Sequence, residues 1–167
     1  MTTRKGFGAP GSAAAPKPRK HRVSVHDYRQ DPLYPRVTHA VTAILANGKV
    51  VAPVDVLLRM NLLRPQDLED WRFGRVPYLE RVIQGNLSRL SRLLRILGFF
   101  CHDMKLGPSQ VGYVRWGDGP RTPLRFTKTG DAKLEKIYAR HFVWPGKCPF
   151  HPPREKVPAK PPRTDAP

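Results

Sequence analysis

Apolar side chains recur at helical spacing through the middle of the chain. Val37, Val41, Ile44 and Leu45 stand at i, i+4, i+7 and i+8, which predicts a first helix that Asn47-Gly48 is suited to end. Val54, Leu57 and Leu58 repeat the spacing behind Pro53, whose missing amide hydrogen costs little in a first turn, so a short helix should run to about Met60. Asn61 tolerates the left-handed conformation and can turn the chain there. A third short helix should start at Pro65, carry Leu68 and Trp71 inward and end near Gly74. The longest element is expected from about Pro77 to Phe100. Leu79, Val82, Ile83, Leu87, Leu90, Leu93, Leu94 and Leu97 gather on one face at about 100° per residue, and Arg81, Arg89, Arg92 and Arg95 fall on the other. Gly85 weakens such a helix by about 1 kcal/mol relative to Ala, which allows a bend or break there.

Beyond Gly107-Pro108 the pattern changes. VGYVRW and LRFTKT are rich in β-branched and aromatic residues and flank the turn-rich GDGPRTP, so a β-hairpin is expected at about 111–129. Alternation puts Leu124 and Phe126 on one face and Arg125 and Thr127 on the other, predicting a buried Phe126 and an exposed Arg125. Asp131 should cap a last helix through about Phe142, with Leu134, Ile137, Tyr138 and His141 or Phe142 facing in. The fold class expected is mainly α with a small β-hairpin (α+β), a helix-turn-helix or winged-helix-like core at residues 31–143. Residues 1–30 hold too few large apolar side chains to offset the entropy of ordering, so a disordered basic arm is expected. Residues 144–167 read as a Pro-rich basic tail in extended conformations.

Charge then changes the picture. The chain has 30 Lys plus Arg against 13 Asp plus Glu, a formal net charge of +17. The excess is spread over both tails and the middle: seven basic and one acidic side chain in 1–30, eighteen and ten in 31–143, five and two in 144–167. A chain this cationic should attract polyanions, and nucleic acid is the favoured partner. No run reaches the roughly 18–20 apolar residues of a membrane-spanning helix, and no secretory signal stands at the start. The segment before Asp27 is acid-free and similar in composition to an organelle transit peptide, but Pro10, Pro16 and Pro18 spoil the amphipathic helix. Cys101 and Cys148 are too few for a disulfide framework. A soluble cytoplasmic protein that is not secreted is expected, associated with the nucleoid if it binds DNA.

Residues 63–77, LRPQDLEDWRFGRVP, place Leu68, Trp71, Gly74 and Pro77 in an L-x-x-W-x-x-G-x-x-P arrangement. With the preceding helix, residues about 54–77 resemble the recognition helix and following turn of phage-repressor-type helix-turn-helix DNA-binding proteins. The resemblance implies Trp71 as core anchor, Gly74 as helix exit, and Arg64, Gln66, Arg72 and Arg75 nearest base edges. The sequence departs from the pattern in its acids: Asp67, Glu69 and Asp70 would face a phosphate backbone. A structural third helix, its acids favouring the N-terminal dipole, stands beside the DNA-reading one.

Other basic groups suit phosphate better. Arg19, Lys20 and Arg22 of the arm are candidates, as are Arg115, Arg121, Arg125 and Lys128 of the hairpin, where interleaved Tyr113, Trp116 and Phe126 could stack on bases or else belong to the core. Arg89, Arg92 and Arg95 lie in a stretch, 81–102, with no acid, unlike an ordinary solvated helix with alternating charges. Such a face fits phosphates or an acidic protein partner. Nothing points to an enzyme: there is no P-loop, dinucleotide glycine pattern or GxSxG, and the six histidines are scattered. Cys101-His102 and Cys148-Pro-Phe-His151 lack the paired spacing of a closed zinc module, so no metal or other cofactor is expected. The reading is non-catalytic nucleic-acid binding, DNA favoured and RNA possible. The alternatives are a protein-interaction adaptor, with Pro158-Ala-Lys-Pro161 as a polyproline ligand, and an RNA-binding accessory protein of translation.

Overall fold

The first three helices lie where the periodicity puts them. In the computed structural model, which describes residues 22–146, they are α1 (Tyr34–Leu45), α2 (Pro53–Arg59) and α3 (Pro65–Arg72). Each carries Pro in its first turn, where the absent N–H breaks no helical bond. The apolar stripe of α1 buries Val37, Ala40, Val41 and Leu45, while α2 buries Val54, Val56 and Leu57. Asn61 takes φ 55° between α2 and α3, and the Leu62 N–H returns to the Leu57 carbonyl at 2.9 Å. Trp71 is fully buried and Gly74 leaves α3 at φ 72°.

The expected helix from Pro77 to Phe100 is two pieces. A 3-10 turn covers Leu79–Arg81, and α4 covers Leu87–Asp103. The break has a local and a tertiary cause. Gly85 sits at φ 122°, a conformation L side chains avoid, and the Gln84 N–H bonds to the Leu62 carbonyl (2.7 Å) in place of a helical partner. Asn86 then caps α4, its side-chain oxygen accepting the Arg89 N–H at 2.7 Å. Leu79 is buried although its segment is not α-helical, which is why the apolar period runs across the break.

The sheet lies elsewhere than expected. Its strands are β1 (Val50–Val51), β2 (Gly107–Gln110) and β3 (Arg140–Val143), all antiparallel in the order β1-β3-β2. Val51 and Pro108 both stand opposite Phe142. The last helix, α5 (Ala132–Tyr138), is capped by Asp131 as expected but stops short of Phe142, because His141 pairs with β2 and Phe142 and Val143 pair with both β1 and β2. Phe142 thus reaches the core from a strand, and Ile137 is 38% exposed instead of facing in.

The expected hairpin at 111–129 narrows to one bridge, Val114 opposite Pro123, with Arg115 N–H to the Thr122 carbonyl (2.9 Å) and Leu124 N–H to the Tyr113 carbonyl (2.8 Å). Pro120 and Pro123 remove donors, and Gly117 and Gly119 bend the loop at positive φ. What holds this segment is aromatic packing. Phe126 lies 5.0 Å from Trp71, 5.0 Å from Tyr113 and 5.3 Å from Tyr138, and the Trp71 indole N–H donates to the Arg125 carbonyl at 2.7 Å. Glu135 of α5 accepts from the Phe126 and Thr127 N–H groups and the Thr127 hydroxyl. Packing also begins earlier in the chain than residue 31, since Val23 and Tyr28 are core residues.

Candidate nucleic-acid interface

The cations flanking α3 are committed to its acids. Arg64 forms a two-point pair with Asp67, Nε to Oδ2 at 2.7 Å and Nη2 to Oδ1 at 2.9 Å. Arg75 meets Asp70 at 2.8 Å and stacks over Phe73, and Gln66 approaches the same carboxylate at 3.5 Å. Two of the three acids therefore neutralise the very arginines assigned to base edges, and Glu69 stays exposed.

Arg72 is packed among rings. Its guanidinium lies 4.3 Å from the Tyr113 centroid, 4.9 Å from Trp116 and 5.5 Å from Trp71, and its Nε is buried without a hydrogen-bond partner among the described residues. Burial lowers its pKa, while Tyr113 and Asp55 favour the charge. Beneath it, burial pushes the Tyr113 hydroxyl up to about 12 and raises Asp55. Burial lowers His141, whose Nε2 is 2.6 Å from the Tyr113 hydroxyl. Of the three aromatics considered for base stacking, Tyr113 and Phe126 are core and only Trp116, 49% exposed and edge-on to Phe73, faces outward.

The hairpin cations do not converge on that ring. Arg115 donates to the Phe73 carbonyl (3.2 Å), and Arg125 folds back to the Lys128 carbonyl (2.9 Å) over Gly130. Arg121 and Lys128 are exposed. Arg19 and Lys20 lie outside the described residues, as do Cys148, His151 and the Pro158–Pro161 motif. Cys101 is fully buried, with its thiol pushed up to about 12 by burial, whereas the neighbouring His102 is exposed.

Four candidates do come together. Arg22, Arg89, Arg92 and Arg95 line a concavity of about 880 Å³ along the first half of α4, with Asn86, Ser88 and Ser91 between them and no carboxylate in its wall. Arg92 is fixed from behind by Asp31, at 2.8 Å from Nε and 3.0 Å from Nη2, and Asp31 in turn accepts the Leu33 N–H. Arg22, Arg89 and Arg95 have no acidic partner among the described residues. Burial lowers the Arg95 pKa, and the nearby Arg22 cation adds to the effect. Ser88, Ser91, Arg92 and Arg95 stand at i, i+3, i+4 and i+7 on one helical face, and Arg89, one turn before Arg92, flanks it; Arg89, Arg92 and Arg95 are half-buried against the wall rather than free in solvent.

Sequence reasoning found the arginines but missed Asn86, Ser88, Ser91 and Asp31. An Asn just ahead of an apolar-periodic run is a helix-start signal, and it was hidden by the continuous period through Gly85. Arg140 was missed as well; nothing in the sequence points to its place beside α4, which depends on β3 lying between the other strands. Among the described residues no group of His, Cys, Asp and Glu could hold a metal ion, and no helix is long and apolar enough to cross a membrane. No protein-family model, curated protein or solved structure matches the chain.

Proposed function

We propose that this protein binds nucleic acid without catalysis, duplex DNA in the first place, through the arginine face of α4. The observation that carries the reading is the acid-free concavity in which Arg22, Arg89, Arg92 and Arg95 converge. Guanidinium groups in such a setting suit phosphate, and the intervening Asn and Ser side chains suit phosphate or base edges. The order of elements supports a winged helix-turn-helix reading. A helix, a short strand, two short helices, a long helix, a second strand, the short helix α5 and a last strand follow one another, with the last strand between the other two. In that reading α4 takes the recognition position and residues 111–139 take the place of the wing. It also accounts for acidic α3, which is relieved of reading DNA.

The test is a fluorescence-anisotropy titration against duplex DNA and structured RNA over a range of salt. Affinity should fall with a log–log slope of about 0.9 per neutralised phosphate on DNA. The double variant Arg89→Ala/Arg95→Ala should lower that slope by about 2, while Gln66→Ala on α3 leaves it unchanged. A flat salt response, or an unchanged slope in the arginine variant, overturns the proposal. Tighter binding to RNA would keep the surface and change the target.

A further inference from the structure

A second concavity lies on the C-terminal half of α4, and its character differs from the first. It encloses about 590 Å³, a size typical of small-molecule sites. Its walls are apolar: Leu94, Leu97 and Phe99 of α4 face Ile137 of α5 and Phe142 of β3. Two large apolar side chains that line it, Val25 and Ile137, remain 59% and 38% exposed, although the domain has a well-filled core elsewhere. Water against such a surface is unfavourable by about 25 cal/mol per Å², which an apolar occupant would recover.

Gly98 forms part of this wall and is the anomaly that points to use. It sits in the interior of a 17-residue helix, where Gly costs about 1 kcal/mol relative to Ala. Its φ is not in the left-handed region, so no turn demands it. A Cβ built there would meet nothing within 4 Å, so no close packing demands it either. What its missing side chain does is leave the cavity open.

The polar rim has one available sign. Arg95 and Arg140 line the cavity and have no acidic partner among the described residues. The single carboxylate of the wall, Asp103, is engaged by the Tyr28 hydroxyl and by Arg29 at 2.6 Å, which hold its pKa below the usual carboxylate range. The net demand is for a negative head on an apolar body.

We infer that this cavity is a binding site for a small amphipathic carboxylate, whose hydrocarbon body lies over Gly98 between α4 and α5 and whose carboxylate pairs with Arg95 and Arg140. The site stands on its own geometry and does not need the nucleic-acid reading. It is tested on the full chain, without nucleic acid, by displacement of 1-anilinonaphthalene-8-sulfonate fluorescence with dodecanoate below its micelle concentration. Dodecanoate should displace the probe at a 1:1 ratio and dodecylamine should not. Gly98→Leu, which fills the space, should abolish binding with no loss in Tm, whereas Gly98→Ala, the folding control, retains it. Arg140→Ala should weaken dodecanoate about tenfold, the value of a charge-assisted hydrogen bond, and leave dodecanol unaffected. Equal displacement by dodecylamine, unchanged binding by Gly98→Leu, or failure of the probe to bind the full chain would each overturn the inference.

Discussion

Trp71 shows how one side chain can organise a neighbourhood. It is fully buried against Tyr113 and Phe126, and its indole N–H satisfies the Arg125 carbonyl. Trp71→Ala should cost about 3–5 kcal/mol by urea unfolding, as for other large aromatics in cores, and Trp71→Phe less, since the ring volume is mostly kept and one hydrogen bond is lost. A loss below about 1 kcal/mol for Trp71→Ala would contradict this packing. His141 carries the clearest pH signal. Its pKa is depressed by burial, with Asp55 acting to raise it and Arg72 to lower it, and Tyr113 bonded to its ring. Below about pH 6.5 the unfolded chain takes up a proton at this residue that the folded chain resists, so stability should fall as pH drops through that range. Asp55, raised by burial, acts in the opposite sense at lower pH. His141→Gln should flatten the slope between about pH 7 and 5.5 in urea titrations; an unchanged slope would place its origin elsewhere. That Trp71 anchors the core was legible from its place in a helical stripe. The pairing of Arg92 with Asp31, 61 residues away in sequence, was not, because ion pairs between distant segments leave no periodic trace.

At the level of elements, α4 is defined by its ends. Asn86→Ala removes the cap on the Arg89 N–H and should lower stability by about 1 kcal/mol. Gly85→Ala, at φ 122°, should cost at least as much through strain. In contrast, Gly98→Ala should raise stability by up to about 1 kcal/mol, since the added methyl meets open space. Thermal unfolding of the three variants checks both the sign and the order. Helices α1 to α3 were legible because their faces alternate between one core and solvent. The break before α4 was less so: Leu79 packs inward from a 3-10 turn, and burial alone imitates the helical period. Strands β1 and β2 were illegible for a simpler reason. Two residues, or a Gly-Pro-Ser-Gln segment exposed along its whole length, have no pattern of their own and exist because β3 offers backbone partners.

For the whole molecule, the distribution of cations matters more than their number. Among the candidate arginines, Arg64 and Arg75 are held in ion pairs with the acids of α3, Arg72 packs half-buried among aromatics, and Arg22, Arg89, Arg92 and Arg95 line an open concavity. Ser91 and Arg95 line both that concavity and the apolar cavity beside it. If both proposed sites are correct, saturating dodecanoate should weaken DNA binding, and Gly98→Leu should be insensitive to it, as read by anisotropy at fixed salt. Loss of this coupling with both individual bindings intact would separate the sites without removing either.

The amino-acid sequence alone determined the cationic character, the positions of α1, α2 and α3, the caps at Asp131 and the turn at Asn61, all of which are local matters of side-chain type and spacing. Tertiary structure decided which arginines stay available, where the sheet forms and what Gly98 leaves open. The reason is physical: charge and periodicity are properties of neighbours along the chain, whereas a free guanidinium or an empty volume is defined by groups brought from far away in sequence. Asp31 reaches Arg92, Asp103 reaches Arg29, and Ile137 of α5 comes to line one cavity with Leu94 and Gly98 of α4 only after the chain has folded.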